Sequence, residues 1–203
     1  MSDDAHPRLT GRVVTTVRDE VASWPVVSTT EHYRTDYVSL AFEEVRGPDG
    51  ATHGRAVVRP NGAVGILALD DDDRVLLVQQ YRHAVGRRLV ELPAGTLDVA
   101  GETPQRAAAR ELAEEADVRA EHWTRLLSTV VTPGYSTETW EVFLATGLQP
   151  VDHAERTVRE AEEADMEHWW LPFDDAVAAV LDGRISDTMT GLGLLAEVAR
   201  RRA

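Results

Sequence analysis

Apolar residues recur along this chain with two different periods, and the changes between them divide it into predicted strands and helices. Around residues 37–46, Val38, Leu40 and Phe42 occupy alternate positions, the pattern of a strand with one covered face. The turn GPDG at 47–50 and the run THGRAVVRP at 52–60 complete a predicted hairpin. GAVGILALD (62–70) and RVLLVQQYR (74–82) flank an acidic turn and predict a second hairpin. Their near-continuous apolar character predicts cover on both faces. LLSTVV (126–131), TWEVFLATGL (139–148) and MEHWWLP (166–172) are further strand candidates. Two helices are predicted to close the chain, PFDDAVAAVLDG (172–183) and SDTMTGLGLLAEVARRR (186–202). The first dozen residues lack either period and are expected to fray. The chain divides into a small N-terminal β-rich portion, 1–60, and a main domain, 61–203.

One stretch keeps the helical period most clearly. Thr103-Pro104 is a start signal, with Thr as N-cap and Pro at the first helical position. Residues 105–116 hold no breaker and several alanines. At about 100° per residue, Glu111, Glu114 and Glu115 share one arc, beside an arc of Ala108, Ala109, Leu112 and Ala116 suited to packing on a sheet. Arg110 stands one turn before Glu114, so an i,i+4 ion pair is available. An exposed stripe of Glu costs little. Two carboxylates forced to about 4 Å repel by about 4 kcal/mol at an effective dielectric near 20, and a divalent cation with oxygen ligands relieves that. Strands on either side of this helix, with helices at the end, predict an α/β/α sandwich or an α+β fold on mixed sheets.

Composition narrows the chemistry. With 35 Asp and Glu against 21 Lys and Arg, the net charge is −14, which argues against nonspecific duplex binding by phosphate neutralisation. An anionic ligand then needs local Arg residues or metal ions to reverse the field. The absence of cysteine excludes disulfides, thiol catalysis and Cys-type zinc sites, and fits a cytoplasmic protein. No apolar run reaches the roughly 20 residues of a membrane span, and the acidic start MSDDAHPRLTGR lacks the pattern of a secretory signal. The seven histidines show no metal-ligand spacing and read as incidental.

Gly95, Glu102, Arg110, Glu111, Leu112, Glu114, Glu115 and Val118 together resemble the box of the Nudix family. Two departures stand out: six residues separate Gly95 from Glu102 where the pattern has five, and Asp117 replaces a Gly. A loop absorbs one extra residue easily, and Asp tolerates a left-handed helix end better than most residues. The resemblance implies an α/β/α sandwich and hydrolysis of a nucleoside diphosphate linked to another group. It implies Mg²⁺ or Mn²⁺ held by Glu111 and Glu115, with Glu114 as a further or alternative ligand and the Ala94 carbonyl adding one more. Arg110 would orient the glutamates, Gly95 would shape the loop, and Glu102 would brace that loop or, alternatively, touch the metal directly.

QQYRHAVGRRLVELPAG (79–95), TPGYSTE (132–138) and EEADMEHWW (162–170) resemble the ADP-ribose pyrophosphatase branch of that family. That likeness implies cleavage of ADP-ribose to AMP and ribose 5-phosphate, in a homodimer paired through the N-terminal portion. It implies Glu163 as general base, with Glu162 the adjacent alternative. Arg82 is the candidate for a substrate phosphate, because Arg forms two charge-assisted hydrogen bonds; Arg55 is a weaker one. Trp24 and Tyr33 are candidates for stacking adenine. Two other readings remain open: a hydrolase of another nucleoside diphosphate sugar such as GDP-mannose, or a module that senses ADP-ribose without cleaving it.

Overall fold

The computed structural model describes residues 4–5, 10–157 and 165–203. Two-residue strands β1 (Asp4–Ala5) and β2 (Arg12–Val13) pair antiparallel, so part of the stretch expected to fray is structured. A three-stranded antiparallel sheet follows, from β3 (Val26–Arg34), β4 (Val38–Arg46) and β5 (Thr52–Pro60), in that order. The hairpin at 47–50 is present, with Gly50 N–H donating to the Gly47 carbonyl at 3.0 Å.

β4 has the alternating period that its sequence predicts, but the opposite face is the covered one. Leu40 and Phe42 are exposed, at 37% and 44%, whereas Ser39 and Ala41 are buried. Alternation reveals that two faces differ. It does not reveal which one the rest of the chain covers.

The main body is a sandwich. β6 (Ala63–Ala68), β9 (Ala94–Thr96), β10 (Val118–Val130) and β11 (Thr139–Pro150) form one sheet in the order β10-β11-β6-β9, with β6 and β11 parallel and the other pairs antiparallel. β7 (Arg74–Arg82), β8 (Arg87–Glu91) and β12 (Glu167–Pro172) form a second sheet, ordered β12-β7-β8. The predicted hairpin of β6 with β7 is therefore not formed. They share one bridge, Leu69 with Val75, and then part into different sheets. Continuous apolar runs carry no mark of the partner strand, and loop proximity alone suggested a hairpin.

Cover on both faces is borne out. Val64, Ile66, Ala68, Leu76, Phe143 and Ala145 pack with Ala107, Ala108 and Leu112 of α1 (Pro104–Ala116). The alternate residues Leu67, Val75, Leu77, Val142 and Leu144 pack on the other side with α2 (Phe173–Leu181) and α3 (Thr188–Arg201). Period-2 alternation between two buried layers is what makes these strands read as unbroken apolar runs.

α1 begins at Thr103, whose hydroxyl accepts from Arg106 N, and ends at Asp117 in the left-handed region at φ 54. Glu115 lies within the buried face of α1 rather than beside it, at 4% exposure. Among the described residues no helix is long and apolar enough to cross a membrane.

Candidate active site

The cavity lies where α1, β7, β8, β9 and the start of α3 meet. Its volume is about 1190 Å³, and Glu111, Glu114, Glu115, Arg82, Glu91 and Ala94 all line it. α1 presents its glutamates here because its opposite side is pinned to β6 and β11 by Ala108 and Leu112, both fully buried.

Gly95 decides how close that helix comes. A Cβ at this position would stand 1.9 Å from Glu111 Cδ, so the Glu111 side chain occupies the volume that any other residue would need. The neighbouring Ala94 donates its backbone N–H to Glu115 Oε2 at 2.9 Å. From below, His168 on β12 donates through Nε2 to the Glu115 backbone carbonyl at 2.5 Å. A carbonyl can only accept, so the proton is on Nε2. Sequence reading passed over His168 because its partner is backbone and lies 53 residues away.

Arg110 sits among carboxylates. Nη1 reaches Glu111 Oε1 at 2.7 Å and Glu114 Oε2 at 3.1 Å, and Nη2 reaches Glu102 Oε2 at 3.0 Å. Asp98 is 3.9 Å away. Hydrogen bonding to Glu102 and the charge of Glu111 hold this guanidinium above its usual pKa despite partial burial. Glu102 thus ties the loop before α1 to the helix itself.

Arg82 is also held. Nε contacts Glu91 Oε1 at 3.0 Å, and Nη2 contacts Glu91 Oε2 at 2.6 Å. Gln80 adds a 3.2 Å bond to the same carboxylate. Glu91 is buried, and its hydrogen bonds raise the Arg82 pKa, with Glu115 and Asp187 adding attraction. Glu91, Gln80, Asp98, Glu138 and Asp187 were not singled out from sequence. Glu138 lines the cavity and accepts from Trp140 Nε1 at 2.8 Å. Its position in TPGYSTE was the available signal.

The remaining candidates fall elsewhere. Arg55 is exposed on β5 and donates to the Gly54 carbonyl at 2.8 Å. Trp24 and Tyr33 are exposed, at 48% and 59%, and neither lines this cavity; Tyr37 does. Glu162 and Glu163 lie outside the described residues.

The carboxylate set suits a hard divalent cation chemically, since Mg²⁺ and Mn²⁺ prefer such oxygens. Glu115 is a buried carboxylate, and a buried charge is costly without compensating partners. Glu102, Glu111 and Glu114 share the single charge of Arg110, leaving that group net negative. Glu111, Glu114 and Glu115 line the same cavity, though among the described residues no three Asp, Glu or His side chains stand at metal-holding distance from one point. The donor types fit the ion.

Known proteins place this arrangement in context. A family model described as the NUDIX domain matches residues 59–189. An ADP-ribose pyrophosphatase of Mycobacterium tuberculosis is 46% identical over 158 residues, 78% of this chain and 75% of that protein. A methanol dehydrogenase activator of Bacillus methanolicus is 32% identical over 164 residues, 81% of this chain and 86% of that one. A solved structure described as an ADP compounds hydrolase superposes with a TM-score of 0.70 at 17% identity, covering 92% of this chain and 99% of its own. That last likeness concerns the fold.

Proposed function

Because this chain belongs to the Nudix family, we propose that it is a divalent-metal-dependent hydrolase that cleaves the diphosphate of ADP-ribose to AMP and ribose 5-phosphate. The observation that carries this reading is the convergence of Glu111, Glu114, Glu115 and Arg82 on one cavity, in a chain 46% identical to an ADP-ribose pyrophosphatase.

Glu111, Glu114 and Glu115, with the Ala94 carbonyl, would hold the ion. Bound Mg²⁺ or Mn²⁺ supplies positive charge against the diphosphate and acidifies a bound water. Arg82 gives two nitrogens to Glu91, which fixes the guanidinium plane and leaves Nη1 as the group assigned to a substrate phosphate. Arg110 keeps Glu111 and Glu114 apart in charge and together in space. Glu163, or its neighbour Glu162, is the carboxylate assigned to take the proton of the attacking water. That water adds to one phosphorus as the bridging P–O bond breaks.

The same reading includes a division at residue 60 and a cytoplasmic homodimer formed through the N-terminal portion. In support, Leu40 and Phe42 share the exposed face of β4, with exposed Tyr33 opposite Leu40 on β3. Apolar groups contiguous in this way mark a surface suited to a partner. The 132–138 loop joins this sheet to the main body, since Val58 N–H donates to the Tyr135 carbonyl at 2.8 Å.

Incubation with ADP-ribose and Mg²⁺ or Mn²⁺ should release AMP and ribose 5-phosphate in equal amounts, read by anion-exchange chromatography. Intact ADP-ribose with both ions would overturn the hydrolase reading. Faster turnover of another nucleoside diphosphate sugar in the same panel would reassign the substrate.

A further inference from the structure

The segment from Glu91 to Ala94 serves the site at both ends. Glu91 grips Arg82, and Ala94 N–H holds the Glu115 carboxylate. Between them, the Pro93 carbonyl accepts from Ile66 N at 2.8 Å, which sets the segment against β6. The Leu92 amide points to a different partner, 98 residues further along: it donates to Thr190 Oγ1 at 2.9 Å.

Thr190 is fully buried, and its hydroxyl is committed twice. It donates to Asp187 Oδ2 at 2.7 Å, and that same oxygen accepts from Thr190 N at 2.8 Å as the N-cap of α3. A hydroxyl has one proton and two lone pairs. With the proton directed at Asp187, a lone pair is left for Leu92. The helix has little room to slide. A Cβ on Gly193 would stand 2.9 Å from Leu92 Cδ1, and one on Gly65 would stand 2.3 Å from Met189 Sδ. α3 is therefore seated directly on Leu92 and β6 on either side of the Thr190 bond.

We propose that Thr190, its hydroxyl oriented by Asp187, is a positioning residue of the site. It sets where the Glu91–Ala94 segment lies, and through that segment the placement of both Arg82 and Glu115. An N-capping role alone accounts for the bond from Thr190 N to Asp187. It does not account for a buried hydroxyl that ends on the backbone between two site residues. The inference rests on the metal-hydrolase reading above.

The test compares full-length Thr190→Val, which removes the hydroxyl, with Thr190→Ser, which keeps it. Mn²⁺ binding is followed by electron paramagnetic resonance, turnover of ADP-ribose is measured in parallel, and hydrogen exchange is monitored over residues 91–95. Thr190→Val should weaken Mn²⁺ binding and lower kcat about ten-fold each, the lower end for losing an outer partner of a metal ligand. Exchange over 91–95 should quicken, and Thr190→Ser, which keeps the hydroxyl, should behave as wild type in all three measurements. Glu197→Gln, at the far end of α3, is the control: it should lower the melting temperature with Mn²⁺ binding unchanged. Wild-type Mn²⁺ binding in Thr190→Val, or equal weakening in Glu197→Gln, overturns the proposal. If Thr190→Val does not fold, Asp187→Asn, which keeps a capping oxygen, carries the same comparison, and unchanged binding in it is again decisive against. A wild type that binds Mn²⁺ but leaves ADP-ribose intact defeats the hydrolase reading alone. A wild type that binds no Mn²⁺ defeats both.

Discussion

Arg82 and Glu91 form a forked ion pair across two strands, with Nε and Nη2 of one facing Oε1 and Oε2 of the other at 3.0 and 2.6 Å. Glu91 is 4% exposed, while the Arg82 side chain, which lines the cavity, is 42% exposed. The buried carboxylate orients the guanidinium, and the proposed phosphate role rests on that orientation. Glu91→Gln should keep the shape and lose the grip. KM for ADP-ribose should rise about ten-fold with a smaller change in kcat, and stability should fall by about 1.5–3 kcal/mol, the scale for a hydrogen bond to a charged group. Steady-state kinetics and urea unfolding check both. An unchanged KM would remove Arg82 from phosphate binding.

Gly95 has no room for a methyl group, because Glu111 fills the space. In Gly95→Ala the Glu111 side chain must move off β9, since strand backbone yields less readily than a side chain. Turnover should fall about 10²-fold or more, with an overpacking cost of about 1–3 kcal/mol. Mn²⁺ titration alongside kcat separates this from unfolding. Activity near wild type would mean that Glu111 works from another position.

The box glutamates and the 162–163 pair have different assigned roles. Glu115→Gln should weaken metal binding, because a neutral amide replaces the buried carboxylate that faces Ala94 N–H. Glu163→Gln should bind metal normally and lose turnover by about 10²-fold, the scale for a general base. Full activity in Glu163→Gln would transfer the role to Glu162 or elsewhere.

Acid should loosen the C-terminal helix. Burial pushes the Glu197 carboxyl up, but hydrogen bonds from Arg200 and Arg201 at 2.6 and 2.8 Å outweigh it and leave the pKa below 4.5. Asp73 is lowered as well, chiefly by its hydrogen bonds to Arg201. Groups depressed in the folded state stabilise above their unfolded pKa and lose that contribution as pH falls through the folded value. The melting temperature should therefore be steady near pH 7 and drop below about pH 4. In Arg201→Gln the neutral melting temperature should be lower and the acid drop shallower. Arg201 also stacks 3.8 Å over the Phe173 ring, so part of its loss persists at every pH. Parallel pH profiles for the two proteins would refute the linkage.

What could be read from the chain alone was whatever is set within a few residues. Helix α1, its Thr103 cap, its left-handed end at Asp117 and the spacing of Glu111, Glu114 and Glu115 follow from local propensity and a 3.6-residue period. The buried character of β6 and β7 follows from their apolar runs. The tertiary structure alone decided which sheet β6 and β7 join, which face of β4 stays open, that Glu91 holds Arg82, and that Thr190 meets Leu92 across 98 residues. The physical reason is range. Period and capping are written by neighbours in sequence, whereas a buried hydroxyl or carboxylate finds its partner only when packing has brought distant backbone within hydrogen-bond reach.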